Sequence, residues 1–147
     1  MEEEVVSLEN IKVKANAKDW KEAIEISGDL LLRNGKIRRK YIDDMIKAVV
    51  EMGPYIVLAP GFALAHAQPS TDVIENDLSL ITLEEPVNFG SVNDPVNVIL
   101  CMASVDNDSH IDILKKVAEK LMIEGMIGKI ASCQCKAELY LLINGWV

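Results

Sequence analysis

This chain of 147 residues contains two histidines, and they are the side chains best placed to do chemistry. Imidazole is the side chain whose ordinary titration lies near neutral pH, so it serves group transfer and proton transfer more readily than any other. The first, His66, lies in the run Ala59-Pro60-Gly61-Phe62-Ala63-Leu64-Ala65-His66-Ala67-Gln68-Pro69. Pro60-Gly61 predicts a turn, since proline presets one backbone angle and glycine accepts the unusual one that follows. Phe62 and Leu64 then alternate with Ala63 and Ala65, the pattern of a short extended segment with one face inward. The run therefore presents an imidazole at the edge of a buried strand. Ala65 and Ala67 are small enough to let a reactant approach the ring. The same residues also fit a histidine that is merely hydrogen-bonded near the surface.

The second histidine sets a different scene. Asp106-Asn107-Asp108-Ser109-His110 leads into a segment where Ile111, Leu114, Val117, Ala118 and Leu121 recur at helical spacing. Ser109 predicts an N-cap, with Asp112 as the acidic half of a capping box. His110 is thereby expected in the first turn of a helix. Free backbone N–H groups and the positive end of the helix dipole make such a position an anion site. The same field disfavours imidazolium, so a neutral ring could donate one hydrogen bond to a phosphoryl oxygen or to another imidazole. A tolerated residue at a helix start is the plainer alternative.

Around these two residues the chain alternates extended and helical patterns, which predicts a layered α/β domain. A strand is expected over 8–13. Asp19 caps a helix with Glu22 at the capping-box position, Trp20, Ala23, Ile24, Ser27, Leu30 and Leu31 form its inner stripe, and Asn34-Gly35 ends it. A second helix over about 41–52 carries Ile42, Met45, Ile46 and Val49 inward and stops at Gly53-Pro54. Residues 55–59 are apolar throughout and read as a central strand. A strand follows over 77–83, with Leu78 and Leu80 on one face and Ile81 and Leu83 on the other. Glu84-Glu85-Pro86-Val87 onward reads as a loop, and 96–103 as a second central strand whose end leads to His110. Short helices carrying Ile127 and Ile130, and then Leu139, Leu142 and Ile143, complete the chain. No repeat or linker interrupts it, so residues 1–147 are expected to form one domain.

Composition narrows the function. Half the residues are hydrophobic, enough for a core, and the 5% aromatic content makes that core aliphatic. A net charge of −8 and a pI near 4.7 argue against nucleic-acid binding, which needs a basic footprint, and favour partners with basic surfaces. Met1-Glu2-Glu3-Glu4 is acidic where a secretion signal would be basic, and no apolar run reaches membrane-spanning length. Cys101, Cys133 and Cys135 make an odd count, which suggests reduced thiols and a cytoplasmic setting. Cys133-Gln134-Cys135 lacks the second pair of ligands a metal site would need. The basic cluster Lys36-Ile37-Arg38-Arg39-Lys40 reads as a solvated helix start, or as a meeting point for an anionic partner.

The His66 segment, followed by Ser109-His110-Ile111 opening an amphipathic helix, resembles the mannitol/fructose-type enzyme IIA of the bacterial sugar phosphotransferase system. Tyr41-Ile42-Asp43-Asp44-Met45-Ile46 and Gly53-Pro54-Tyr55-Ile56-Val57-Leu58-Ala59-Pro60-Gly61 look most like its ascorbate-type branch. The resemblance covers nearly the whole chain in order. Gly61, Ala63, Leu64 and His66 follow the family pattern around the acceptor. Ala65 departs from it, since proline is usual there, and Val49-Val50-Glu51 stands where many members carry an arginine. The resemblance implies a mixed, mainly parallel sheet with helices on both faces. It also implies that His66 accepts a phosphoryl group from the phosphocarrier HPr, that His110 steadies the transferred oxygens, and that a IIB component receives the group. A membrane IIC component would couple it to uptake of an ascorbate- or pentitol-like sugar. Such a relay needs no cofactor or metal. Phe62 and Leu64 are candidates for an apolar docking rim.

Two other classes remain open at this stage. One is a regulatory module of the same fold whose phosphorylation state controls protein partners. The other is a two-histidine metal or hydrolase site, for which the carboxylate or cysteine ligands such sites use are missing.

Overall fold

The computed structural model describes residues 4–109 and 111–145, and these form five strands and five α-helices after a short 3-10 turn at Leu8–Asn10. In chain order they are β1 (Ile11–Ala15), α1 (Trp20–Arg33), α2 (Arg39–Met52), β2 (Val57–Ala59), β3 (Phe62–Ala65), β4 (Asp77–Val87), β5 (Val96–Ala103), α3 (Ile111–Leu121), α4 (Met126–Ala131) and α5 (Lys136–Asn144). The local signals explain the better-defined ends. The Asp19 carboxylate accepts the Glu22 N–H at 2.9 Å, and the Glu22 carboxylate accepts the Lys18 N–H at 3.0 Å, so a reciprocal cap opens α1. Gly53, at a φ of 82° that side chains disfavour, closes α2 by donating its N–H to the Val49 carbonyl at 2.8 Å.

The strands form one mixed sheet in the order β1-β4-β5-β3-β2, with helices on both faces. β1 runs parallel to β4 and β3 parallel to β5, whereas β4 with β5 and β2 with β3 are antiparallel. Alternation along β5 feeds both layers. Ile99, Cys101 and Ala103 pack towards α1 and α2, while Val98 and Leu100 pack towards α3, α4 and α5.

Three sequence expectations need correction. The first strand is Ile11–Ala15, because residues 8–10 form the 3-10 turn. The strand expected over 55–59 is only Val57–Ala59 and lies at the sheet edge; its apolar character reflects Ile56 and Val57 buried in the α1–α2 layer, with Leu58 half exposed. Finally, β4 continues through the supposed loop to Val87, which pairs with Val96. Glu84, Glu85 and Pro86 are exposed there, and the pairing register breaks between Thr82 and Val87, so the missing proline N–H costs no ladder bond.

A Cβ at Gly28 would stand 2.7 Å from Ile42 Cγ1, so glycine permits the close approach of α1 and α2. At the other end of the chain, the Asn144 carboxamide accepts the Val5 and Val6 N–H groups at 2.6 and 2.9 Å and donates to the Val6 carbonyl at 2.7 Å. One buried side chain thus ties residues 5 and 6 to α5.

Candidate active site around His66

The hairpin β2-Pro60-Gly61-β3 delivers His66 to its place. Gly61 sits at a φ of 81°, as the turn demands, and its carbonyl accepts the Asn97 and Val98 N–H groups at 3.1 and 3.0 Å. That fixes β3 in register against β5, from Phe62 opposite Val98 to Ala65 opposite Cys101. All four residues of β3 are buried. His66 follows immediately, beyond the C-terminal ends of two parallel strands, the position where α/β sheets place ligand sites.

The ring is oriented by its own chain. His66 Nδ1 lies 2.9 Å from the Leu64 carbonyl oxygen. A carbonyl can only accept, so Nδ1 carries the proton, and Nε2 keeps the lone pair. The Tyr55 ring meets the imidazole edge-on, with centroids 5.4 Å apart and planes at 79°, and its hydroxyl donates to the His66 carbonyl at 3.3 Å. One residue further on, the Tyr41 hydroxyl accepts the Ala67 N–H at 3.1 Å and donates to the Met102 carbonyl at 2.8 Å. Burial raises the Tyr41 phenol above its ordinary value, so its proton stays in place at neutral pH.

His66 lines a cavity of about 220 Å³. α2 contributes Ala48 and Met52 to its wall, and α3 contributes Ile111 and Leu114. Gln68, Ser104, Asp106 and Asn107 supply polar groups. The Asp106 carboxylate accepts the Ser109 N–H at 2.6 Å and the Asp108 N–H at 3.0 Å, which holds its carboxyl below the usual carboxylate range. Asn76 braces the same loop, accepting the Val105 N–H at 2.6 Å and donating to Ser109 Oγ at 2.7 Å. The helix expected to open at His110 is α3, and its first residue borders the cavity; His110 itself lies outside the described residues.

Other sequence candidates are placed differently. Phe62 and Leu64 are 3% and 9% exposed and pack against the α3–α5 layer, so neither forms a docking rim. The exposed apolar residues at the cavity are Met52, Tyr55 and Ile111. The basic cluster is tied down locally: Lys36 pairs with Glu75, Arg39 with Glu25 and Asp43, and Lys40 with Asp44, while Arg38 donates to the Thr71 carbonyl. In the last turn of α2 Val49 is buried, Val50 is exposed, and Glu51 pairs with Lys47 away from the cavity lining. Ala65 is fully buried between α2 and the sheet. The two tyrosines are site features that periodicity alone did not single out. The available signal was Tyr41 itself, on the inner stripe of a helix, where a buried phenol must find a hydrogen-bond partner.

Comparison with known proteins gives this geometry its context. Residues 4–146 match the family model for the phosphoenolpyruvate-dependent sugar phosphotransferase system, EIIA 2. The ascorbate-specific PTS system EIIA component of Escherichia coli (strain K12) is 31% identical over 137 residues, covering 92% of this chain and 89% of that protein. The solution structure of the mannitol-specific cryptic phosphotransferase enzyme IIA CmtB from Escherichia coli superposes with a TM-score of 0.86 at 31% identity, covering 95% of each chain. The crystal structure of IIA mannitol from Escherichia coli shares the fold with a TM-score of 0.81 at 23% identity, covering 94% of this chain and 98% of that one. The chain belongs to the EIIA 2 family of the sugar phosphotransferase system.

Proposed function

We propose that Nε2 of His66 accepts a phosphoryl group from the phosphohistidine of HPr and passes it to a IIB component. The observation that carries this reading is the bond from Nδ1 to the Leu64 carbonyl, which leaves the nucleophilic lone pair on Nε2 of a ring that lines the cavity. In the first step Nε2 forms a bond to phosphorus as the bond to the donor imidazole breaks, and the electron pair returns to the donor nitrogen. In the second, a IIB nucleophile, a thiolate in ascorbate-type systems, displaces His66 from phosphorus. Both steps depend on alignment and charge stabilisation more than on proton transfer. The start of α3 supplies a favourable dipole beside the cavity, and His110, which precedes it in sequence, is the proposed donor to the phosphoryl oxygens.

In this reading the chain works in the cytoplasm as one domain over residues 1–147, reaching a membrane IIC component only through IIB. Among the described residues no helix is long and apolar enough to cross a membrane. The sugar is ascorbate- or pentitol-like, as the 31% identical ascorbate-specific relative suggests.

Intact mass measured after incubation with phosphoenolpyruvate, enzyme I and HPr tests the reading. One acid-labile phosphoryl group is expected on the natural chain and none on His66→Ala. Normal labelling of His66→Ala would remove His66 from the reaction. An unlabelled natural chain would leave a regulatory module as the better reading.

A further inference from the structure

We propose that Tyr41 is a positioning residue for the acceptor: its hydroxyl bridges Ala67 and Met102 and thereby holds the His66 imidazole in its Nδ1–H form. The inference rests on the reading of His66 as the acceptor and adds the residue that aims it.

The last ladder position of β3 is Ala65, opposite Cys101. From His66 to Ser70 the chain has no regular structure, so its direction depends on individual bonds. The Tyr41 hydroxyl supplies one within a residue of the imidazole. It has one proton, and of the two carbonyls within reach, Ala67 at 3.3 Å and Met102 at 2.8 Å, the nearer is Met102, near the end of β5. Its lone pair receives the Ala67 N–H at 3.1 Å. One phenol oxygen therefore joins the chain leaving β3 to the end of the neighbouring strand.

The phenol is itself well anchored. Tyr41 is only 1% exposed and lies on the buried face of α2 with Ile42, Met45 and Val49. A phenylalanine would fill the same space, so packing does not require the hydroxyl. Removing it would take the phenol partner from the Ala67 N–H and the Met102 carbonyl and leave the backbone at residues 66 and 67 to the longer 3.3 Å bond from the Tyr55 hydroxyl to the His66 carbonyl, a weaker restraint on its rotation. The bond from Nδ1 to the Leu64 carbonyl spans only two residues, so it depends directly on that backbone. Once it is lost, the proton can move to Nε2 and the nucleophilic lone pair with it. A displacement of about 1 Å is enough to slow an aligned transfer by roughly 100-fold.

The test combines Tyr41→Phe with nitrogen-15 NMR of the histidine ring and with the kinetics of phosphorylation by phospho-HPr. The natural chain should show His66 mainly as the Nδ1–H tautomer and an Ala67 amide protected from exchange. In Tyr41→Phe the tautomer should shift towards Nε2–H, and kcat should fall by about 10- to 100-fold with KM nearly unchanged. A loss of melting temperature with kcat and tautomer unchanged would make Tyr41 a packing residue and overturn the proposal. So would a natural chain in which His66 is mainly Nε2–H or the Ala67 amide exchanges like an open loop, and these two measurements need no variant. The failures are distinguishable. Labelled His66→Ala removes the acceptor reading, whereas unlabelled His66→Ala with a fully active Tyr41→Phe removes only the role of Tyr41.

Discussion

On one face of the sheet, α1 and α2 approach so closely that only glycine fits at residue 28, and Ile24, Leu31 and Ile42 between them are wholly buried. On the other face, α3 buries only Val117 and Leu121 of its eleven residues, and its first residue, Ile111, is half exposed. The cavity beside His66 has one wall from each layer, Ala48 and Met52 from α2 and Ile111 and Leu114 from α3. The contrast assigns different duties to the two walls. The segment that follows His66 is attached through Tyr41 to the tightly packed side, where side chains have little freedom. The helix of the second wall has fewer buried contacts and so less local stability. The relay proposed above, in which a donor and then a recipient dock in turn, would gain from a firm wall behind the ring and a less stable one facing it.

Paired core truncations would break this comparison most directly. Ile42→Ala should destabilise by about 4 kcal/mol, as a fully buried aliphatic side chain leaves a cavity in a layer that cannot collapse. Leu114→Ala, on the partly exposed face of α3, should cost about 1 kcal/mol. Equal losses in chemical denaturation would show that the layers do not differ. Gly28→Val should cost about 3 kcal/mol, because Ile42 must move to admit even the first carbon. A neutral result there would mean that the α1–α2 contact is looser than its geometry suggests.

A further expected effect concerns alkaline pH and belongs to the same tight layer. Burial pushes the Cys101 thiol from 9.0 up to about 12, and raises the Tyr41 phenol above 10.0. The unfolded chain releases these protons first, so above pH 9 it binds fewer protons than the folded chain. Stability therefore falls as pH rises, by about 2 kcal/mol between pH 8 and 10, most of it from Cys101. Denaturation of the natural chain and of Cys101→Ala at both pH values checks this; equal losses would separate Cys101 from the effect.

Much of this arrangement is legible in the sequence because local signals agree with the tertiary structure. Asp19 and Glu22 announce the start of α1, Asn34-Gly35 its end, and the apolar run of β5 its central place. The errors arise where a residue type has two physical explanations. Apolar residues 55–59 suggested a central strand, but an edge segment buried by a helix looks the same. Pro86 suggested a loop, yet an irregular stretch of strand tolerates it. The turn and small neighbours of the His66 run mark it as a candidate site, and in the fold it lines a cavity. The tyrosines that hold it were not legible, because their partners are backbone atoms of residues distant in sequence, Met102 for Tyr41 above all.

The bond network of Asn144 bears on how the chain is made. The groups it joins are 138 and 139 residues apart, so the contact cannot form until α5 has been synthesised. β1 waits as well, since its sheet partner is β4. The hairpin of β2 and β3 and the pair α1–α2 are close in sequence and can assemble on a nascent chain. The tight layer and the strand that leads to His66 can thus begin to form before α5 has emerged. Asn144 then acts as a latch that closes only once α5 is made, securing residues 5 and 6 after the sheet has something to close upon.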